Sequence, residues 1–263
     1  RETTMRVAAG AVARRLLDRF GIKIYGHVQR IGSATTDLSA ISFSQNTPDS
    51  EIQNFFDTVE NSPVACADES AAQNMILLID EAKDKGDSLG GVYEVVATGL
   101  PVGLGSHVHW DRKLDAHIAY AMMSINAIKS IEIGLGQQVG HIFGSHVHDE
   151  IFFDDKNGYA RSHNHAGGIE GGMTNGEPIV VRVAMKPLPT MPTPLSSVDV
   201  NTKKTKEAHY ERADVCAVPA AVVVAEAMLS LVLANALVDK IGGDSTDEMM
   251  HNFKGLPNAP LEW

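Results

Sequence analysis

The sequence predicts an α/β chain of an α+β-like kind, with long helices packed on antiparallel sheet. Three observations carry this. A helical run is followed at once by a strand, so neither an all-helical nor an all-strand domain fits. Two later stretches share one order (glycine, apolar strand, proline, irregular linker, long apolar helix), which points to an internal duplication. Finally, 263 residues with 44% hydrophobic and 21% charged side chains are enough to bury a substantial core.

The elements follow in order. Met5, Val12, Leu16 and Phe20 fall within about one helical face, so the first helix is expected from about Glu2 to Phe20, ended by Gly21. Regular structure starting at once, without an initiator Met, leads to the expectation that a front portion is absent. Ile22 to Ile31 reads as a strand, and the polar stretch from Gly32 to Ser50 as a surface insertion. Asp49 or Ser50 is expected to cap a helix to about Val59, and Asp68 or Ser70 one that runs to Lys85 and stops at Gly86. Val92 to Thr98 reads as an apolar strand, Leu114 to about Ser130 as a helix, Ile179 to Met185 as a strand halted by Pro187 and Pro189, and Pro219 to Val238 as a helix.

Composition bounds the function. Lys and Arg number 22 against 33 Asp and Glu, a net charge of −11, so nucleic-acid and membrane-surface roles are disfavoured. An anionic ligand would need a local cluster of cations. Cys66 and Cys216 are far apart and read as two buried apolar residues in a reducing compartment. No secretory signal opens the chain, and cytoplasm is the default. The apolar stretch from Val215 to Val238 carries Glu226 at its middle, which favours a buried amphipathic helix over a membrane span.

The irregular segments hold the chemistry. Ten glycines between Gly134 and Gly176 are too many for packed elements, and the run Asn164 to Gly176 could bring backbone N–H groups close to an anionic or planar ligand. No strand, GxGxxG, helix order accompanies them, which excludes a dinucleotide fold. His107/His109, His146/His148 and His163/His165 have HxH spacing, which on a strand places both rings on one face, as a metal site needs. Without HExxH or a nearby Cys, no metal is expected. Lys186-Pro187-Leu188-Pro189-Thr190 leaves an ammonium and a hydroxyl in rigid turn geometry, where a phosphate could sit. Arg212 and Asp214, two apart just ahead of the long apolar helix, point the same way if that segment is extended.

In combination these segments resemble chorismate synthases. Arg1-Glu2-Thr3-Thr4-Met5-Arg6, Gly86-Asp87-Ser88-Leu89-Gly90-Gly91, Ser124-Ile125-Asn126-Ala127-Ile128-Lys129, His148-Asp149-Glu150, Ala166-Gly167-Gly168-Ile169-Glu170-Gly171-Gly172, Lys186 to Thr190 and Arg212-Ala213-Asp214-Val215-Cys216 occur in that family's order. The resemblance implies a β-α-β sandwich of antiparallel sheets and long helices, here one domain over residues 1–263 lacking the family's front part, where two acid/base histidines and several phosphate-binding arginines stand. Ala213 departs from the Ser, His or Phe usual at its position.

The resemblance also implies an activity: 1,4-elimination of phosphate from 5-enolpyruvylshikimate 3-phosphate to give chorismate, on the shikimate route to aromatic amino acids. That reaction requires reduced FMN and is redox-neutral overall; some members reduce the flavin with NADPH. Residue by residue, Arg1, Asn126, Ala127, Gly171, Lys186, Pro187, Leu188, Pro189, Thr190 and Arg212 match positions that hold the flavin. Arg1 and Arg212 also match substrate-side cations, and Asp214 matches a carboxylate that acts near flavin N5. A homotetramer is implied, and the part of the enzyme represented here is expected to be inactive alone. The competing readings are a metal-dependent hydrolase built on the HxH pairs, separable by elemental analysis, and a non-catalytic flavin- or phosphate-binding module, separable by product formation.

Overall fold

The computed structural model describes residues 1–37, 43–154, 158–211 and 214–256. In chain order the elements are α1 (Glu2–Asp18), β1 (Lys23–Ile31), β2 (Ala34–Thr35), α2 (Asp49–Glu60), α3 (Glu69–Lys85), β3 (Gly91–Thr98), α4 (Leu114–Met123), β4 (Ile128–Ile133), α5 (Gly144–Val147), β5 (Ile151–Asp154), β6 (Gly158–Arg161), β7 (Ile169–Glu170), β8 (Met173–Thr174), β9 (Ile179–Met185), β10 (Ser196–Val198), β11 (Thr205–Glu207), α6 (Val218–Ile241) and α7 (Thr246–Lys254). The main sheet has the order β2-β1-β3-β9-β4, and every pairing in it is antiparallel. Helices on antiparallel sheet is the architecture expected. The two stretches read as a duplicated unit have adjacent strands, β3 and β9, followed by helices of 10 and 24 residues.

The core forms where α6 lies against the sheet. Ile24 and Val28 of β1, Val95 and Ala97 of β3 and Val181 and Val183 of β9 are buried with Val222, Leu229, Leu233 and Leu237 of α6. By length and apolar composition α6 could cross a membrane, but half of its most apolar window is buried within the fold. It is less amphipathic than expected because neighbours surround it: α1, β1, β3 and α4 all touch it. Its one acidic side chain in the core region, Glu226, accepts from Arg14 at 3.1 Å.

Helix α1 turns a different face inward from the one its large apolar residues define. Met5 and Val12 are 69% and 73% exposed, whereas Gly10, Ala13 and Leu17 are buried. The close crossing explains this: a Cβ on Gly10 would stand 2.6 Å from Cα of Ala227, so only a small residue lets the two helices meet.

Helix α3 follows its sequence signals, with Asp68 accepting from the Ala71 N–H at its start and Gly86 left-handed at φ 66 at its end. Helix α2 starts at Asp49, one of the two residues expected to cap it, so Pro48 stands at the N-cap and no side chain caps it. The largest difference concerns 114–130, expected as one helix. It stops at Met123, and Ile128–Ile133 is strand β4, pairing Ile128 with Met185 and Ile133 with Val181. Tertiary pairing with β9 overrides a helical spacing that Ile125 and Ile128 share with either state.

Candidate functional site

The register of the sheet lines up one row of residues at its end: Ile31 opposite Gly91, Gly91 opposite Met185, Met185 opposite Ile128. The next residue along each of three chains is Gly90, Lys186 or Ala127, and these form a corner. The Lys186 N–H donates to the Ala127 carbonyl at 2.9 Å, and Ala127 is held at φ 68, a conformation that costs a non-glycine residue about 1–2 kcal/mol. The Ser88 hydroxyl donates to the Leu188 carbonyl at 2.6 Å, and the Leu89 N–H to the Val215 carbonyl at 2.8 Å. A Cβ on Gly90 would collide with the Met185 carbonyl and stand 2.8 Å from the Pro187 nitrogen. Glycine therefore lets the Ser88–Gly90 segment stitch 186–188 to 215–216. Arg6 donates to the Ser124 hydroxyl at 2.7 Å, which draws the first turn of α1 to the same corner.

Beside the corner, on the sheet face turned away from α6, lies a cleft of about 460 Å³ lined by Gln29, Arg30, Thr35, Glu132, Gln138 and Arg182, among others, a size suited to a small ligand. A buried polar network floors it. The Arg182 guanidinium donates to Gln29 at 2.9 Å, Glu94 at 3.1 Å and Glu132 at 3.3 Å, and His27 meets the other Glu94 oxygen at 3.2 Å. Burial works to raise the Glu94 pKa, but the hydrogen bond and charge of His27, joined by Arg182, outweigh it and hold that carboxyl below its usual range.

Of the residues singled out in the sequence, Asn126, Ala127, Lys186, Pro187 and Leu188 stand at this corner, and Asp214 adjoins Val215, which is tied to it. Pro189 and Thr190 follow directly in the chain. Asn126, Lys186 and Asp214 are exposed. Arg1 is exposed at the N-cap of α1. Gly171 is not brought to the corner. It sits at the turn between β7 and β8, where the neighbouring Gly172 carbonyl accepts from Leu114, the first residue of α4, while the corner lies beyond the helix's last residue, about 15 Å away by helix length. Arg212 and Ala213 lie outside the described residues. The sequence alone assigns no role to Ser88 and Gly90, although the paired Gly90-Gly91 is a signal for close backbone approach; the Glu94, Arg182, His27 and Gln29 network, spread over three strands, leaves no local pattern.

A family model described as chorismate synthase matches residues 1–238. The chain belongs to the chorismate synthase family. A chorismate synthase from Caldicellulosiruptor saccharolyticus is 52% identical over 256 residues, and one from Bacillus subtilis (strain 168) 50% identical over 263, covering 97% and 100% of this chain. The chain spans 65% of the length of each of these two chorismate synthases. A solved structure titled "Crystal Structure of Chorismate Synthase" superposes with a TM-score of 0.81 at 45% identity, over 96% of this chain and 68% of that one.

None of the HxH pairs lies on a strand. His107 and His109 precede a short helical turn at Trp110–Arg112, His146 is in α5 with His148 just after it, and His163 and His165 are in the loop after β6. Strand geometry therefore does not bring their rings to one face.

Proposed function

We propose that this chain carries part of the active site of a chorismate synthase, catalysing 1,4-elimination of phosphate from 5-enolpyruvylshikimate 3-phosphate. The observation that supports this most directly is that separated segments meet in one place, 88–89 bonded to 188 and 215 and 186 bonded to 127, in a chain of this family. The donors at the corner fit a flavin mononucleotide: an exposed ammonium on Lys186, an exposed amide on Asn126 and rigid proline turn geometry through Thr190. When bound, reduced FMN supplies the transient electron that eases loss of phosphate.

This chain's own residues bind, orient and move a proton. Lys186 to Thr190, with Asn126 and Ala127, hold the flavin side, and Gly171 is a further flavin contact of the family. Arg1 and Arg212 bind the anionic groups of flavin and substrate, concentrating positive charge locally against the net −11 of the chain. A carboxylate oxygen of Asp214 accepts a proton next to the flavin. The enzyme is cytoplasmic, takes no nucleic acid or membrane as partner and assembles as a homotetramer; NADPH is the reductant where the flavin is reduced on the protein.

The test is an anaerobic assay of the protein at its full natural length with 5-enolpyruvylshikimate 3-phosphate and reduced FMN, following phosphate and chorismate. Asp214→Ala is expected to lower turnover by about 10²- to 10⁴-fold with FMN affinity retained. Near-normal turnover in that variant would remove Asp214 from the mechanism, and no product from the unmodified enzyme would overturn the activity.

A further inference from the structure

The geometry points to a site for one divalent transition-metal ion, of the zinc, cobalt and nickel class, formed by Asp149, His163 and His165. One ligand atom from each of the three side chains lies within 4.8 Å of the other two. The donors come from two loops, one following α5 and one following β6, that pack together away from the Lys186 corner.

Two of the three donors are already held in place. The Asp149 side chain is 1% exposed, and its two oxygens accept from the backbone N–H groups of His165 at 2.9 Å and Ala166 at 3.0 Å. Each carboxylate oxygen keeps a second lone pair for a metal. The His165 ring is pinned by donation of its Nδ1–H to the Val147 carbonyl at 3.1 Å, so the nitrogen it can offer a metal is Nε2. A backbone carbonyl partner of this kind is what orients ligand imidazoles in metal sites. The third donor, His163, is exposed, and its ring stacks on His165 with centroids 4.7 Å apart and 19° between planes.

Ligand atoms around a tetrahedral zinc stand about 3.4 Å apart, given bonds of about 2.1 Å. The cluster is therefore open by at most about 1.4 Å, which a small rotation of the exposed His163 ring, now in contact with the Ser162 hydroxyl at 3.0 Å, can close. Solvent would complete the coordination. Two imidazoles and one carboxylate select borderline metals over Mg²⁺ and Ca²⁺, which prefer all-oxygen shells. Bound metal would clamp the segment around Asp149 onto the glycine-rich loop that begins at Ala166.

The experiment is calorimetric titration of untagged, chelator-treated protein with ZnCl₂, repeated with CoCl₂ while recording visible absorption, and with MgCl₂. Expected are one high-affinity Zn²⁺ per chain, a cobalt d–d spectrum and no Mg²⁺ uptake. His163→Ala and His165→Ala should each weaken Zn²⁺ binding by about 10- to 100-fold or more, while the paired change His107→Ala with His109→Ala should leave it unaltered. His163 is exposed, so its replacement leaves folding intact, which the melting temperature without metal verifies. Absence of stoichiometric Zn²⁺ binding, or binding that survives both single substitutions, overturns the site.

Discussion

A single methyl group separates a closed corner from an open one at Gly90. Its Cβ would enter the space of the Met185 carbonyl and the Pro187 nitrogen, both backbone atoms that cannot rotate away. Gly90→Ala is therefore expected to cost about 1–3 kcal/mol and to weaken FMN binding by displacing the Lys186 turn. Gly21→Ala is the informative contrast: at φ 76, with no atom within 4 Å of the added Cβ, it meets only the left-handed backbone penalty, about 1–2 kcal/mol. Thermal melts and flavin fluorescence on the two variants separate the effects, and equal FMN affinity in Gly90→Ala and the parent would contradict the stitching role of this segment. At this scale the sequence was legible where chemistry is local. The end of β9 at Met185 could be read directly, because Pro187 follows it. Ser88 could not, because its partner carbonyl stands a hundred positions away at Leu188.

Elements could be read in proportion to how much of their own boundary they encode. Helix α3 has an N-cap carboxylate, basic residues in its last turn and a left-handed glycine at its end, and both of its limits could be read from the sequence. Replacing Asp68 with Ala removes the acceptor for the Ala71 N–H at 3.0 Å and is expected to lower stability by about 0.5–2 kcal/mol; a denaturant midpoint unchanged from the parent would show that the helix is held by packing alone. The boundary between α4 and β4 carries no such signal. Ser124 closes the helix by donating to the Ala121 carbonyl at 2.6 Å, and the strand after it exists only because β9 offers an unpaired edge. The inward face of α1 was illegible for a related reason. Size and hydrophobicity mark Met5 and Val12, whereas the close approach to α6 is set by the absence of a side chain at Gly10.

For the molecule as a whole, two buried carboxylates on opposite faces of the sheet set opposite pH dependences. Glu226, on the α6 side, is desolvated, and burial lifts its pKa to about 7 despite Arg14 and the Gly26 backbone. A carboxyl whose native pKa is raised favours the folded state most when protonated. Its contribution is complete below about 4.5 and is lost as pH rises to about 7. Glu94, on the cleft side, is held below its ordinary range by His27 and Arg182, so its contribution is present above about 4.5 and is lost as pH falls through the lower native value. Stability should therefore fall on both sides, on the acid side through Glu94 and toward neutrality through Glu226. Glu226→Gln keeps the shape of the side chain, leaves the partly exposed Arg14 to water and removes the neutral limb. The parent is expected to lose on the order of 2–3 kcal/mol between pH 5 and pH 8 from this group, given about 1.4 kcal/mol per pKa unit, and the variant to lose much less. Glu94→Gln should do the reverse, costing most at neutral pH, where Arg182 and His27 lose a charged partner, and least near pH 3. Denaturant unfolding of the three proteins at pH 3, 5 and 8 decides it. Parallel pH profiles for the parent and Glu226→Gln would mean that Arg14 keeps Glu226 ionised in the fold and that the helix core tolerates the charge.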